Sequence, residues 1–335
     1  MFKKIKAAKA YLEHGDELAG ALVPDDAVVL DAPSDAARPA VDAALDGRHE
    51  PSAELLARSR ESRSWEDRDS DVHTLARLAL RSSDWLESWS AADPENPDLA
   101  VVDARRRVEL AWEQRSNDEA SQVSREQFEA FGRTLEEATE RIRQAVAGSP
   151  GDPVPWAVAL RHCRGTEHDR AVFDECLREL DGADPHHYGA RWEAMQFVCA
   201  KWFGSHEEMF DFAQASVDAA PRESRVQTLL LDAVLEHLAA EPSALTSDPD
   251  RIEEAIERAQ GWLDANPDAG HHLTARTRGT LARVLFHLER GDEAYAQMRA
   301  TGEHATSYPW RYWGDARDEF LTYRSHIVTM AAGGS

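Results

Sequence analysis

Residues 190–223 read ARWEAMQFVCAKWFGSHEEMFDFAQASVDAAPRE, the pattern of one complete helix–turn–helix unit. With Tyr188 just before it, Trp192, Met195, Cys199 and Trp202 recur at helical spacing and form one apolar stripe. Phe197, Val198 and Phe203 fall on other sides, so the spacing predicts a helix over 188–203 buried on most faces. Gly204 supplies the turn. Met209 and Ala213 then place small and flexible side chains on a second helix, and Pro221 ends the unit. A proline there suits the first turn of a following helix, where its missing N–H costs nothing.

Working outward, the same punctuation recurs. Trp156 to Trp192 and Pro185 to Pro221 are each 36 residues, while Gly165 to Gly204 and Phe173 to Phe212 are each 39. A repeat of 34–39 residues with a Gly turn inside and a Pro turn between units is the spacing of tetratricopeptide (TPR) hairpins. Upstream, helical patterns run over 71–92, 99–115 and 124–147, the last opened by a capping-box pair, Ser124 with Gln127. Pro24, Pro33, Pro39 and Pro51 interrupt the first 52 residues, where Val28-Val29-Leu30 is the one strand-like run. The expected class is all-α, an α–α solenoid of TPR-like helical hairpins. Residues 1–64 form an N-terminal region of short helices and Pro-rich breaks. Residues 65–325 form the solenoid, and 326–335 a flexible tail.

The stretch Cys199-Ala200-Lys201-Trp202-Phe203-Gly204-Ser205-His206-Glu207-Glu208-Met209-Phe210 resembles a family of TPR-like proteins from actinobacteria. Residues 85–89, 111–113, 184–187 and 304–310 are similar to the same family, so the resemblance covers about 70–325. It implies a fold and an actinobacterial setting, and it implies no activity or cofactor.

Composition narrows the function classes. The 335 residues carry a net charge of −24, which opposes nucleic acid and anionic membranes. Lys3, Lys4, Lys6 and Lys9 are four of the five lysines. Weak membrane contact through them is conceivable, but a solvated start is the simpler reading. There is no apolar run of 18 residues and no leader-like segment, and Cys163, Cys176 and Cys199 sit in apolar helical contexts. The expectation is a cytoplasmic protein with reduced thiols.

No G-x-G-x-x-G, Walker loop, G-x-S-x-G or H-E-x-x-H occurs, and no C-x₂-C pairs the cysteines, so neither cofactor nor metal is expected. Asp67-Arg68-Asp69-Ser70-Asp71 alternates acids like a calcium loop but lacks the Gly and Glu such a loop needs. It reads as a solvated helix start. In the central helices Trp156, Arg161, Arg191, Trp192, Gln196, Lys201 and Trp202 combine cations with aromatic rings. They predict a concave groove for a protein or peptide bearing an acidic group or a C-terminal carboxylate. Lys201, the one lysine after Lys9, is the focal candidate. Tyr308-Pro309-Trp310-Arg311-Tyr312-Trp313 is an aromatic block expected to fold back on the last helices, with Trp310 and Trp313 added to the candidate site. The expected function is a non-enzymatic scaffold. The competing reading is an enzyme or small-ligand binder with a pocket between the central repeats and that aromatic block.

Overall fold

A computed structural model describes residues 14–115, 123–166, 169–241 and 248–333. Lys3, Lys4, Lys6 and Lys9 lie outside the described residues. The fold is all-α, as expected, with one two-residue strand pair among the described residues. It divides into two compact units, one of 33–220 with 224–226, the other of 227–335 with the residues up to Ala32 and 221–223.

The first unit holds α1 (Arg38–Leu45), α2 (Glu50–Ser62), α3 (Trp65–Ala79), α4 (Asp84–Ala92) and α5 (Pro97–Arg115). They are followed by α6 (Arg125–Gly148), α7 (Val154–Gly165), α8 (Arg170–Ala183), α9 (Tyr188–Phe197) and α10 (His206–Ala219). Prolines 39 and 51 fall in the first turns of α1 and α2, where proline starts a helix rather than breaking it. The expected Ser124–Gln127 capping box is present at the start of α6, with both reciprocal bonds made. Consecutive helices pack as neighbours, α5 on α6 and α7 on α8, and alternate helices also touch, α3 on α5, α5 on α7 and α7 on α9. Trp85, Trp89, Leu99, Leu135, Leu160, Phe173 and Phe197 fill the core between them. Each such fully buried side chain contributes roughly 1.5–3 kcal/mol of transfer free energy.

Two close crossings depend on glycine. A Cβ on Gly165 would lie 2.7 Å from Leu135 Cδ1 and 2.9 Å from Phe131 Cζ, so α7 approaches α6 closely. A Cβ on Gly204 would meet the Val198 carbonyl oxygen. There the structure departs from the expected helix over 188–203. The helix α9 ends at Phe197, and the chain folds back with Phe203 N–H donating to the Phe197 carbonyl and Ser205 N–H to that of Val198. The apolar stripe therefore breaks after Met195, and Lys201 and Trp202 stand in a turn.

The second unit holds α11 (Leu229–Ala240), α12 (Pro249–Ala265), α13 (His271–His287), α14 (Gly291–Thr301) and α15 (Ala316–Gly333). Pro221 begins no helix; a short 3-10 turn over Arg225–Thr228 precedes α11. Val29 and Leu30 pair in parallel with His304 and Ala305. Arg317 donates to the carbonyls of Val28 and Asp25, and Ser307 N–H donates to Asp31. Residues 23–31 thus belong with the C-terminal helices. The helix α15 runs through 326–333, with Ile327 and Ala331 buried. Gly291 allows that crossing, because a Cβ there would lie 2.7 Å from Met330 Cγ. The aromatic block packs inside this unit, Trp310 fully buried edge-on to Phe320 at 5.4 Å.

Candidate functional site

Three helices of the first unit present charged or aromatic groups at i, i+3 or i+4 spacing, and α9 adds an adjacent pair. Asp69 and His73 come from α3; Arg105, Glu109, Trp112 and Arg115 from α5; Arg161 and Arg164 from α7; Trp192 and Glu193 lie together on α9. Because α3, α5, α7 and α9 pack side by side, these groups meet as a ladder of alternating charge. Arg105 reaches Asp69 at 3.5 Å and Glu109 at 3.0 Å. Arg161 bridges Glu109 at 3.1 Å and Glu193 at 3.2 Å, and Arg164 closes the row on Glu193 at 3.0 Å. Gly189 lets the Asp69 carboxylate approach α9, since a Cβ there would fall against Asp69 Oδ2.

Burial by itself would push the Glu109 carboxyl up. The charges of Arg161 and Arg105 outweigh that cost and hold it well below its ordinary 4.5. His73, its side chain about half exposed, is brought down to about 4, first by the partial desolvation of its ring and then by the Arg105 charge. Its Nδ1 lies 3.2 Å from Arg105 Nη2, and a guanidinium can only donate. That nitrogen is therefore the acceptor, and the imidazole is the neutral Nε2–H tautomer.

Arg164 sits over three indoles, 5.1 Å from Trp112, 5.5 Å from Trp202 and 5.9 Å from Trp192. Trp112 and Trp202 meet edge to face at 5.5 Å. Arg115 lies 5.5–5.9 Å from the rings of Trp202, Trp112 and Phe128. Phe128 and Phe203, at 39% and 41% exposure, border this face. The indole N–H groups of Trp112 and Trp202 and the Nε–H of Arg161 are buried and meet no hydrogen-bond acceptor among the described residues.

Of the residues singled out from the sequence, Arg161, Trp192 and Trp202 meet here. Trp156 packs against the hydrophobic core, and Gln196 is buried. Arg191 faces elsewhere: it donates to the Pro185 carbonyl, pairs with Asp181 and lies 5.9 Å from Phe212. Lys201 is exposed beside Trp202. Trp310 and Trp313 belong to the second unit. There the Arg283 guanidinium is sandwiched by Trp313 at 3.7 Å and Tyr323 at 3.5 Å, and burial lowers its pKa to about 10. In the same unit the Tyr312 hydroxyl donates to the buried Glu236 at 2.7 Å, and Arg276 covers the Tyr308 ring at 3.7 Å. Sequence reasoning passed over Trp112, Arg164, Arg105 and Glu109. The available signal was their i, i+3 and i+4 recurrence on α5 and α7.

The acidic run 67–71 is not a solvated helix start. Arg68 is fully buried, pairs with Asp152 at 2.7 Å and Asp98 at 2.8 Å, and donates to the Leu56 carbonyl. Asp71 is buried as well and accepts from Ser34. Among the described residues no group of three or more His, Cys, Asp or Glu is placed to hold a metal ion. No described helix is long and apolar enough to cross a membrane. No protein-family model matches this chain, and the comparison with curated proteins finds no match.

Proposed function

We propose that this chain is a non-enzymatic, cytoplasmic interaction module that binds a peptide carboxylate at the cluster of Trp112, Arg115, Arg161, Arg164 and Trp202. The observation that carries the proposal is the set of buried donors that meet no acceptor among the described residues, the indole N–H groups of Trp112 and Trp202 and Arg161 Nε. Such donors cost about 1–3 kcal/mol each while unsatisfied, and a carboxylate satisfies several at once. The half-buried indoles and the exposed Phe128 and Phe203 offer contact to an apolar neighbour of that group.

The proposed architecture is a TPR-like solenoid of hairpins, of the kind the 199–210 stretch resembles. Supporting it, every second helix from α3 to α9 packs on the next, while α6 and α8 pack as hairpin partners of α5 and α7. In such an array the first helices of successive hairpins line the concave face, and the charged ladder runs across those four. Supporting the non-enzymatic reading, His162 donates to the Leu135 carbonyl at 2.8 Å, a structural tie.

The test is binding of the full chain to an array of decapeptides with free C-termini and to the same array amidated. The reading expects capture that favours free C-termini and falls at least tenfold in Trp202→Ala and Arg161→Met. Equal capture of amidated peptides, or unchanged capture by both variants, overturns it.

A further inference from the structure

Cys163 on α7 and Cys176 on α8 bring their sulfur atoms to 3.8 Å across the packed helix pair. Both are free thiols, 3% and 9% exposed, so Cys176 is the one nearer solvent. Closing this gap to a disulfide bond of about 2.05 Å requires about 1.8 Å of combined sulfur movement, within reach of two side-chain rotations.

We propose that Cys163 and Cys176 form an oxidation site, a dithiol that a peroxide converts reversibly into an intrachain disulfide. The proposal is independent of the carboxylate site. The geometry assigns the two sulfurs different roles. Across the 3.8 Å contact either thiol can donate to the other, and the greater exposure of Cys176 makes its sulfur the one a peroxide reaches first. The Cys176 thiolate therefore attacks the peroxide. The O–O bond breaks, the sulfur becomes a sulfenic acid, and the departing hydroxide takes a proton to become water. Cys163 then attacks the sulfenic sulfur. The S–S bond forms, the S–O bond breaks, and the hydroxyl leaves as a second water carrying the Cys163 proton. Two thiols give up two electrons and two protons, and one hydrogen peroxide becomes two waters. An external thiol reverses the step by exchange. Reversible disulfides of this kind are the type found in reducing compartments.

The experiment treats the native full-length protein with hydrogen peroxide, blocks remaining thiols, and maps the digest by mass spectrometry without reduction. The expected result is a Cys163–Cys176 cross-link in monomeric protein, with free thiols falling from three to one and returning to three with dithiothreitol. Cys199→Ser keeps the cross-link. Cys163→Ser, which lacks the resolving sulfur, leaves Cys176 as a sulfenic acid that dimedone traps. Three intact thiols after peroxide, a link through Cys199, an intermolecular dimer, or irreversible sulfinic acid at Cys176 in the wild type would each overturn the proposal.

Discussion

Replacing Glu109 with Gln is the sharpest test of the charged ladder. Glu109 is buried and accepts from Arg105 at 3.0 Å and Arg161 at 3.1 Å. Removing one partner of a buried ion pair costs about 3–5 kcal/mol, because the charge left behind stays desolvated. Here Arg105 keeps Asp69 at 3.5 Å and Arg161 keeps Glu193 at 3.2 Å, so the lower end, about 3 kcal/mol, is expected at pH 7. The pH dependence has a definite sign. The folded pKa of Glu109 lies below its unfolded value of 4.5, so its contribution is complete above that value and is lost as pH falls through the folded pKa. Glutamine does not titrate. The gap between wild type and variant should hold from pH 7 to about 4.5 and then close by about 1.4 kcal/mol per pH unit. Urea unfolding of both proteins at pH 7, 4.5 and 3 measures it, since titrations common to the two cancel in the difference. A gap under about 1 kcal/mol at pH 7, or one that does not narrow by pH 3, refutes the ladder as described.

Arg68→Met leaves the buried carboxylates of Asp98 and Asp152 short of a partner, and urea unfolding should show a loss of about 3–5 kcal/mol. Arg60, 3.0 Å from Asp98, is a further and more exposed cation on that pair, so Arg60→Met should cost less in the same assay. Gly165→Ala forces a methyl group against Leu135 and Phe131, and a loss of about 1–3 kcal/mol is expected by thermal or urea unfolding. Tyr312 is held in its neutral form by burial, the Glu236 charge and the hydrogen bond to it, which raise its pKa well above the ordinary 10. An ultraviolet titration should therefore show a late-ionising phenol that disappears in Tyr312→Phe. The same variant should lose about 1–3 kcal/mol, because the buried Glu236 gives up one hydrogen bond.

The helices were legible because their signals are local. Apolar spacing marked 71–92 and 99–115, Ser124 with Gln127 announced the start of α6, and Gly204 marked a turn. The end of α9 was missed because Cys199 and Trp202 continue the apolar spacing by chance, while the backbone folds back at Val198. The candidate site was half legible. Arg161, Trp192 and Trp202 stood out as cations and rings among apolar neighbours. Glu109 and Arg164 look from the sequence like ordinary solvated charges on polar faces. Lys201 drew attention by its rarity in composition, which is a genome-level property and does not bury a side chain.

The sequence by itself determined the all-α class, the short turns between helices and the absence of an apolar run long enough to span a membrane. These follow from propensity and periodicity within a few residues of chain. Tertiary structure alone decided which charges are buried, because Asp69, Glu109, Arg161 and Glu193 become partners through the packing of α3, α5, α7 and α9. It likewise decided that residues 23–31 pair with 304–307 and 317–324, and that 326–333 is helix with Ile327, Val328 and Ala331 buried. Those outcomes rest on contacts between residues up to about 300 positions apart, and no local pattern of side chains encodes which distant surface will cover them.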